Sequence, residues 1–368
     1  MQTFYWKLQE NCDNTEVMQQ AAALIKKGEV VSFPTETVYG LGADGLNSTA
    51  VAKIFAAKGR PNDNPLILHI AQKEAIEQLT TGLTANAKKL MEHFWPGPLT
   101  LVVQKSAIVP DAVSAGLDTV AVRFPSNKFA QDFIRACGCP IAAPSANISG
   151  RPSPTNAQDV LEDMQGKIAA ILDGGSCGIG LESTVVDTTE PVPTILRPGG
   201  ITYEMLTEVL GAVEIDPALQ GDKSFKPKAP GMKYRHYAPK APVYLFEGNA
   251  RKELPRIIRQ ALAAGKTVGV LCGQALERDL AELVEEQHLQ LSCWGENKEA
   301  LAADLFYLLR DFDRTKPDVI LAEGVDEEGL GLAIMNRLRK AAGYQLITME
   351  NGELHLKNSA TLPDFMVK

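Results

Sequence analysis

Apolar positions in residues 16–27 (EVMQQAAALIKK) recur at helical spacing and stop at Gly28, which predicts a helix. A short apolar run over 30–33 then predicts a buried strand. Residues 49–58 (TAVAKIFAAK) return to helical spacing behind Asn47 and Ser48, residue types that cap helix starts by accepting backbone N–H groups. Strand-like runs follow at 66–70, 99–103, 120–124, 141–143, 169–172, 184–187 and 194–196. Helical stretches fall among them at 84–93, 128–136 and 156–164. Strands and helices mixed without strict alternation predict an α/β domain built on a twisted, mixed sheet.

Residues 217–242 break this pattern. They are rich in Pro, Lys and Gly and lack apolar periodicity, so they predict a proline-stiffened linker. Beyond them, strands at 243–246, 267–271 and 319–322 alternate with helices at 249–264, 298–312 and 330–342. That order predicts a small, parallel, Rossmann-like α/β domain. The expected organisation is a first domain over 1–214, a basic Pro-rich linker over 215–241, a second domain over 242–345 and a tail over 346–368.

The 368 residues suffice for two cores, and an apolar share of 45% is ordinary for a soluble globular protein. No apolar run approaches the ~20 residues of a membrane span, and the N-terminal residues carry no signal pattern, so no membrane partner is expected. Six cysteines lie scattered without disulfide or zinc spacing, which fits a reduced, cytoplasmic setting. The net charge of −8 divides into −7 over residues 1–214, +4 over 215–241 and −5 over the remainder. Such a chain does not hold nucleic acid by its overall field, although a local basic groove stays compatible with it.

Gly40-Leu41-Gly42-Ala43-Asp44-Gly45 satisfies a dinucleotide fingerprint, but no acidic residue ends a second strand about 20 residues later, as a ribose contact requires. That distance lands on Asn62-Asp63-Asn64-Pro65, and the glycines read instead as a turn with close backbone approach. Gly265-Lys266-Thr267 lacks the upstream glycine of a Walker A loop. Lys58 and Arg60, in a Lys-x-Arg-Pro turn, are cations of the kind a helix C-terminus favours. They lead, however, straight into a strand carrying His69. Arg123 lies in the apolar strand Val120-Ala121-Val122-Arg123-Phe124, and a buried arginine needs an anionic partner, protein or ligand. Ser145 and Asn147 follow the strand at 141–143, where α/β sheets place ligands. Ser183, then Arg197 beside Pro198-Gly199, form a last cluster suited to a phosphate or a surface ion pair.

In this order the segment from Ser32 to Gly42 (SFPTETVYGLG), the Lys58 turn, the Ser145 loop and the Arg197 strand resemble the threonylcarbamoyl-AMP synthases. The likeness is to their two-domain form, a YrdC-type catalytic domain with a C-terminal extension. It runs over residues 28–200, through Pro230-Gly231-Met232-Lys233-Tyr234-Arg235-His236-Tyr237-Ala238-Pro239, to Gly329–Leu338. The resemblance implies a YrdC-like fold and condensation of L-threonine, bicarbonate or CO2, and ATP into threonylcarbamoyl-adenylate and pyrophosphate. It further implies Mg²⁺ carried by the ATP phosphates, and hand-over of the product to the tRNA threonylcarbamoyl transferase machinery for t6A37 in tRNAs reading ANN codons.

By the family pattern Thr35, His69, Arg123, Ala143 and Ser183 surround threonine, with Arg123 forking onto its carboxylate. Lys58, Asn62, Thr119, Ser145, Ser153, Arg197 and Tyr234 hold ATP, and Lys58, Arg60 and Arg197 carry the phosphate chemistry. Lys233, Tyr234, Arg235 and His236 are expected as a lid. Rival readings at this point are an RNA-binding module, in weak contact with tRNA, and a nicotinamide-dependent oxidoreductase built on Gly40 to Gly45. Hydrogenase-maturation carbamoyltransferases share the catalytic domain, but their zinc-finger and acylphosphatase segments are absent from this sequence.

Overall fold

The computed structural model describes residues 2–220, 236–283, 287–357 and 361–367. The chain divides into two compact units, residues 1–149 with 153–234, and residues 150–152 with 235–368.

The first unit is built on eleven strands: β1 (Phe4–Lys7), β2 (Val31–Phe33), β3 (Gly40–Asp44), β4 (Ile67–His69), β5 (Leu99–Gln104), β6 (Thr119–Arg123), β7 (Ile141–Ala143), β8 (Ala170–Asp173), β9 (Thr184–Asp187), β10 (Thr194–Arg197) and β11 (Glu214–Ile215). They form one mixed sheet in the order β1-β8-β2-β3-β7-β4-β6-β5-β9-β10-β11. Alternation along the strands sorts side chains between two faces. Leu41, Leu68, Leu101, Val122 and Ala142 join one core with Val51 and Ile54 of the helix Ser48–Lys58 and Val160 of the helix Ala157–Met164. On the opposite face Val31, Phe33, Ile141 and Leu172 pack against Met18 and Ile25 of the helix Thr15–Lys26 and Phe133 of the helix Lys128–Cys137.

Those two helices cover only the β8-β2-β3-β7 half of their face. Over β4, β6, β5, β9 and β10 the same face carries a small cluster of Ile67, Ala121, Val102, Val185 and Leu196, none of them helical. This is the face that carries the site.

Gly40 and Gly42 of the glycine motif lie in a strand, and only Gly45 takes the turn that its composition suggests. β3 pairs antiparallel with β2 and β7. A Cβ on Gly40 would stand 2.9 Å from the Phe33 ring, and one on Gly42 2.8 Å from Ile141 Cγ2. These glycines are needed for packing on a crowded sheet face, and an antiparallel strand cannot serve as a dinucleotide fingerprint.

The second unit has six strands: β12 (Val243–Phe246), β13 (Val268–Cys272), β14 (Leu289–Cys293), β15 (Val319–Glu323), β16 (Leu346–Glu350) and β17 (Glu353–Leu356), in the order β14-β13-β15-β12-β16-β17. All neighbours are parallel except β16 and β17. The expected parallel domain is present, and the stretch read as a tail from residue 346 supplies its last two strands. Buried Arg310 donates to the Pro152 carbonyl at 3.1 and 2.7 Å, and Arg337 lies over the Tyr237 ring, itself stacked on Phe306 at 5.0 Å. Among the described residues no helix is long and apolar enough to cross a membrane.

Gly199, two residues beyond β10, tests how tightly this sheet closes. A Cβ there would meet Thr184 N at 2.4 Å, Glu182 O at 2.5 Å and Ser183 C at 2.6 Å, all backbone atoms that cannot rotate away. Gly199→Ala is expected to destabilise the protein by about 1–3 kcal/mol in urea unfolding. Gly82→Ala, with nothing within 4 Å of the new methyl, is expected to stay within about 0.5 kcal/mol.

Candidate active site

Period-two alternation places Thr119, Ala121 and Arg123 of β6 on one face, with Ile67 and His69 of β4 and Thr100 and Val102 of β5 beside them. His69 and Arg123 are register partners on parallel strands, and Arg123 faces Thr100 across the antiparallel pair. A polar floor of Arg, His and Thr thus lies on strands whose other face buries Leu68, Leu101, Val103 and Val122 in the apolar core.

Arg123 is 3% exposed. Its Nη1 donates to Thr37 Oγ1 at 2.8 Å, and its Nε approaches the Gly97 carbonyl at 3.4 Å. Its Nη2 stands 2.8 Å from Glu36 Oε1, an ion pair by distance but off the line of a hydrogen bond. The guanidinium is therefore already engaged with the protein, while buried Nη2 keeps hydrogen-bonding capacity unspent. Thr35 shapes the same loop: its Oγ1 donates to the Val38 carbonyl at 2.6 Å, sits 2.9 Å from Thr37 Oγ1, and accepts from the amides of Thr37 and Val38.

His69 is buried against the edge of Phe33, and its Nδ1 has no hydrogen-bond partner among the described residues. Burial first, and the Arg123 charge second, depress its pKa to about 3, outweighing the nearby Ile141 carbonyl and Glu36. The ring is neutral at physiological pH. Glu36 goes the other way: burial opposes its ionisation, but Arg123 and the Ser126 amide together hold its carboxyl below the usual value.

Ser183 and Arg197 meet one strand further on. Ser183 Oγ lies 2.7 Å from Thr100 Oγ1, and Arg197 donates through Nη2 to Ser183 Oγ at 3.1 Å and through Nε to the Ser183 carbonyl at 3.0 Å. Thr100 links this group to Arg123 through the β5–β6 register.

A second cluster forms around Lys58, the last residue of its helix, closed by Gly59 in the left-handed region at φ 61°. Its Nζ donates to the carbonyls of Ser145 at 2.5 Å and Asn147 at 2.6 Å, and Ser145 Oγ donates to Asn147 Oδ1 at 2.5 Å. Lys58 thus organises the Ser145 loop from beneath. Ala143 sits at the end of β7, opposite Ile67 and two residues along that strand from the His69 partner Ile141. Arg60 is half-buried and staples its own turn, donating to the carbonyls of Asn64 and Pro65.

Three expected residues stand apart. Asn62 is exposed at the tip of that turn. Thr119 shares the face of Arg123 but lies four strand positions away, about 13 Å at ~3.3 Å per residue. Ser153 is buried with its hydroxyl on Glu182 at 2.6 Å. Lys233, Tyr234 and Arg235 lie outside the described residues, and His236 packs in the second unit 5.6 Å from the Tyr237 ring.

Sequence reasoning assigned no role to Glu36, Thr37, Thr100 or Glu182. Thr100 had the same signal that exposed Arg123, a polar residue inside an apolar strand. Glu36 had none beyond an acid between two threonines.

Two family profiles tile the chain: one described as "Telomere recombination", of the Sua5/YciO/YrdC group, over residues 23–199, and the threonylcarbamoyl-AMP synthase C-terminal domain over 201–343. The threonylcarbamoyl-AMP synthase of Pyrococcus abyssi is 51% identical over 330 residues, 89% of this chain and 94% of that protein. The chain belongs to the threonylcarbamoyl-AMP synthase family. The Bacillus subtilis synthase is 48% identical over 335 residues, 91% of this chain and 95% of its own length. A crystal structure of P. abyssi Sua5 complexed with L-threonine matches with a TM-score of 0.89 and 48% identity, covering 95% of this chain and all of that one. As a member of this synthase family the chain is an enzyme with the YrdC-plus-extension architecture its motifs implied.

Titration of His69 offers a test of the buried floor. An imidazole that ionises near 6.5 when unfolded and at about 3 when folded contributes stability fully present above pH 6.5 and lost as pH falls toward 3. Between pH 6.5 and 4, His69→Leu is expected to show a shallower loss of stability with pH than wild type, by about one proton. Chemical unfolding at a series of pH values reads the slope; parallel slopes would show that His69 does not lie buried and neutral.

Proposed function

We propose that the protein condenses L-threonine, bicarbonate or CO2, and ATP into L-threonylcarbamoyl-AMP with release of pyrophosphate. We assign the product to the t6A modification at position 37 of tRNAs reading ANN codons. The observation that carries the reading is the buried, ion-paired Arg123 guanidinium beside His69, whose Nδ1 has no hydrogen-bond partner among the described residues, side by side on β6 and β4. Burying the His69 nitrogen without a partner is costly, so a polar ligand there completes the floor. An amino acid with a carboxylate for Arg123 and a small hydroxylated side chain for the threonine-lined loop fits that chemistry.

In this reading the neutral threonine amine adds to the carbon of CO2 with loss of a proton to solvent, or to that of bicarbonate with loss of water, giving a carbamate. A carbamate oxygen then attacks the α-phosphorus of ATP, and pyrophosphate leaves. An α-amino group ionises near ~8, so a modest local field releases the nucleophile without a strong dedicated base. His69, neutral and weakly basic, serves as a hydrogen-bonding partner rather than as the proton acceptor. Catalysis rests on positioning and charge neutralisation. In this reading Arg197 meets the phosphates, while Lys58 supports them through the Ser145–Asn147 loop it organises, with Arg60 bracing the turn beside it. In this reading Mg²⁺ comes with the ATP phosphates.

The test is pyrophosphate release from ATP and bicarbonate with and without L-threonine, with serine as the control. Threonine-dependent release is expected, with Arg123→Ala lowering kcat/KM for threonine by about 100-fold or more, near 2.7 kcal/mol. Lys58→Ala is expected to lower it too. Release that ignores threonine would overturn the reading.

A further inference from the structure

Glu36 joins four segments of the first unit. Its carboxylate faces Arg123 Nη2 at 2.8 Å, with Oε1 accepting from the Ser126 amide at 3.1 Å and Oε2 from the Asn127 amide at 3.4 Å. Its backbone carbonyl accepts from Ile179 N at 2.9 Å, fixing the segment that leads to Ser183. Its neighbours Thr35 and Thr37 shape the loop that meets Arg123 from the other side. Asn127 is the N-cap of the helix Lys128–Cys137, its side chain accepting from Ala130 N. The carboxylate is thus held at the positive end of a helix dipole on one side and by a guanidinium on the other.

This arrangement exceeds what folding alone calls for. An apolar pair would serve the packing as well, since a buried ion pair gains little over hydrophobic residues of similar volume. What the pair provides is direction. Arg123 sits at the end of a strand on a long, flexible side chain, and one charged contact anchored to two backbone amides fixes where its remaining N–H groups point. Glu36 itself turns both oxygens to the protein and stays ionised, so it is not aimed at a reacting atom.

We propose that Glu36 is a positioning residue for recognition of the substrate amino acid: it braces Arg123 against the start of the Lys128–Cys137 helix, so that the free N–H groups of Arg123 meet an α-carboxylate. The proposal rests on the reading above that L-threonine is the substrate. Glu36→Gln keeps the shape and a carbonyl acceptor but removes the charge; Glu36→Asp keeps the charge and shortens the reach by one methylene.

The experiment measures the steady-state KM for L-threonine and for ATP in wild type and both variants, alongside the ¹⁵N side-chain signal of Arg123 in the protein without substrate. For Glu36→Gln the threonine KM is expected to rise more than tenfold while the ATP KM stays within twofold. Glu36→Asp is expected between wild type and Gln. The Arg123 Nε–H signal, sharp in wild type, is expected to broaden or exchange faster in both variants. A merely structural role would move both KM values and the folded fraction together, and that result overturns the proposal. An unchanged threonine KM in folded Glu36→Gln also overturns it. Should Glu36→Gln fail to fold, Glu36→Asp decides by the same two KM values. Should wild type show no threonine dependence, the substrate reading fails, and the Arg123 signal alone then supports or refutes the bracing.

Discussion

A guanidinium buried to within 3% of full enclosure is expensive unless its charge is met, and Arg123 sets that demand at the centre of the catalytic unit. Removing one member of such a pair costs about 3–5 kcal/mol, because the other charge stays behind in a poorly polarisable setting. Glu36 meets the demand, and two backbone amides meet Glu36 in turn. Burial first, and the Arg123 charge second, keep His69 neutral against the opposing pull of Glu36, while Arg123 helps hold Glu36 ionised. The floor is left with a single net arrangement, a directed cation beside a neutral ring.

The sheet makes that possible. One face of β4, β5 and β6 is dedicated to core through Leu68, Leu101 and Val122, which frees the other to carry His69, Thr100 and Arg123 at alternate positions. The helices that seal this face stop over the β2–β7 half. Charge and hydroxyl groups are thereby placed on rigid strands rather than on loops, where small displacements would spoil the geometry. Lys58 and the Ser145–Asn147 loop add a second cluster, in which a buried ammonium is spent on backbone carbonyls.

Much of this was legible in the sequence where one physical rule dominates. Helical spacing fixed the helix Ser48–Lys58 and its Asn47 cap, and continuous apolar runs marked most of the catalytic strands. Arg123 was legible because a cation in an apolar strand must have a reason to be there. β3 was not, since glycines chosen to let Phe33 and Ile141 approach look the same in sequence as glycines chosen for a turn. β16 and β17 were missed because their alternation, TMENGELHL, reads as a polar tail until a neighbouring strand covers one side. Glu36 was invisible for a related reason: its partner lies 87 positions away, and only the fold joins them.

The account depends on L-threonine docking at Arg123 and His69. Its most direct test is an L-threonine titration followed by NMR on protein labelled at arginine and histidine side chains. Saturable shifts of the Arg123 guanidinium and His69 ring signals, at matching threonine concentrations, are the result the account requires. Threonine binding that leaves both signals in place would contradict it.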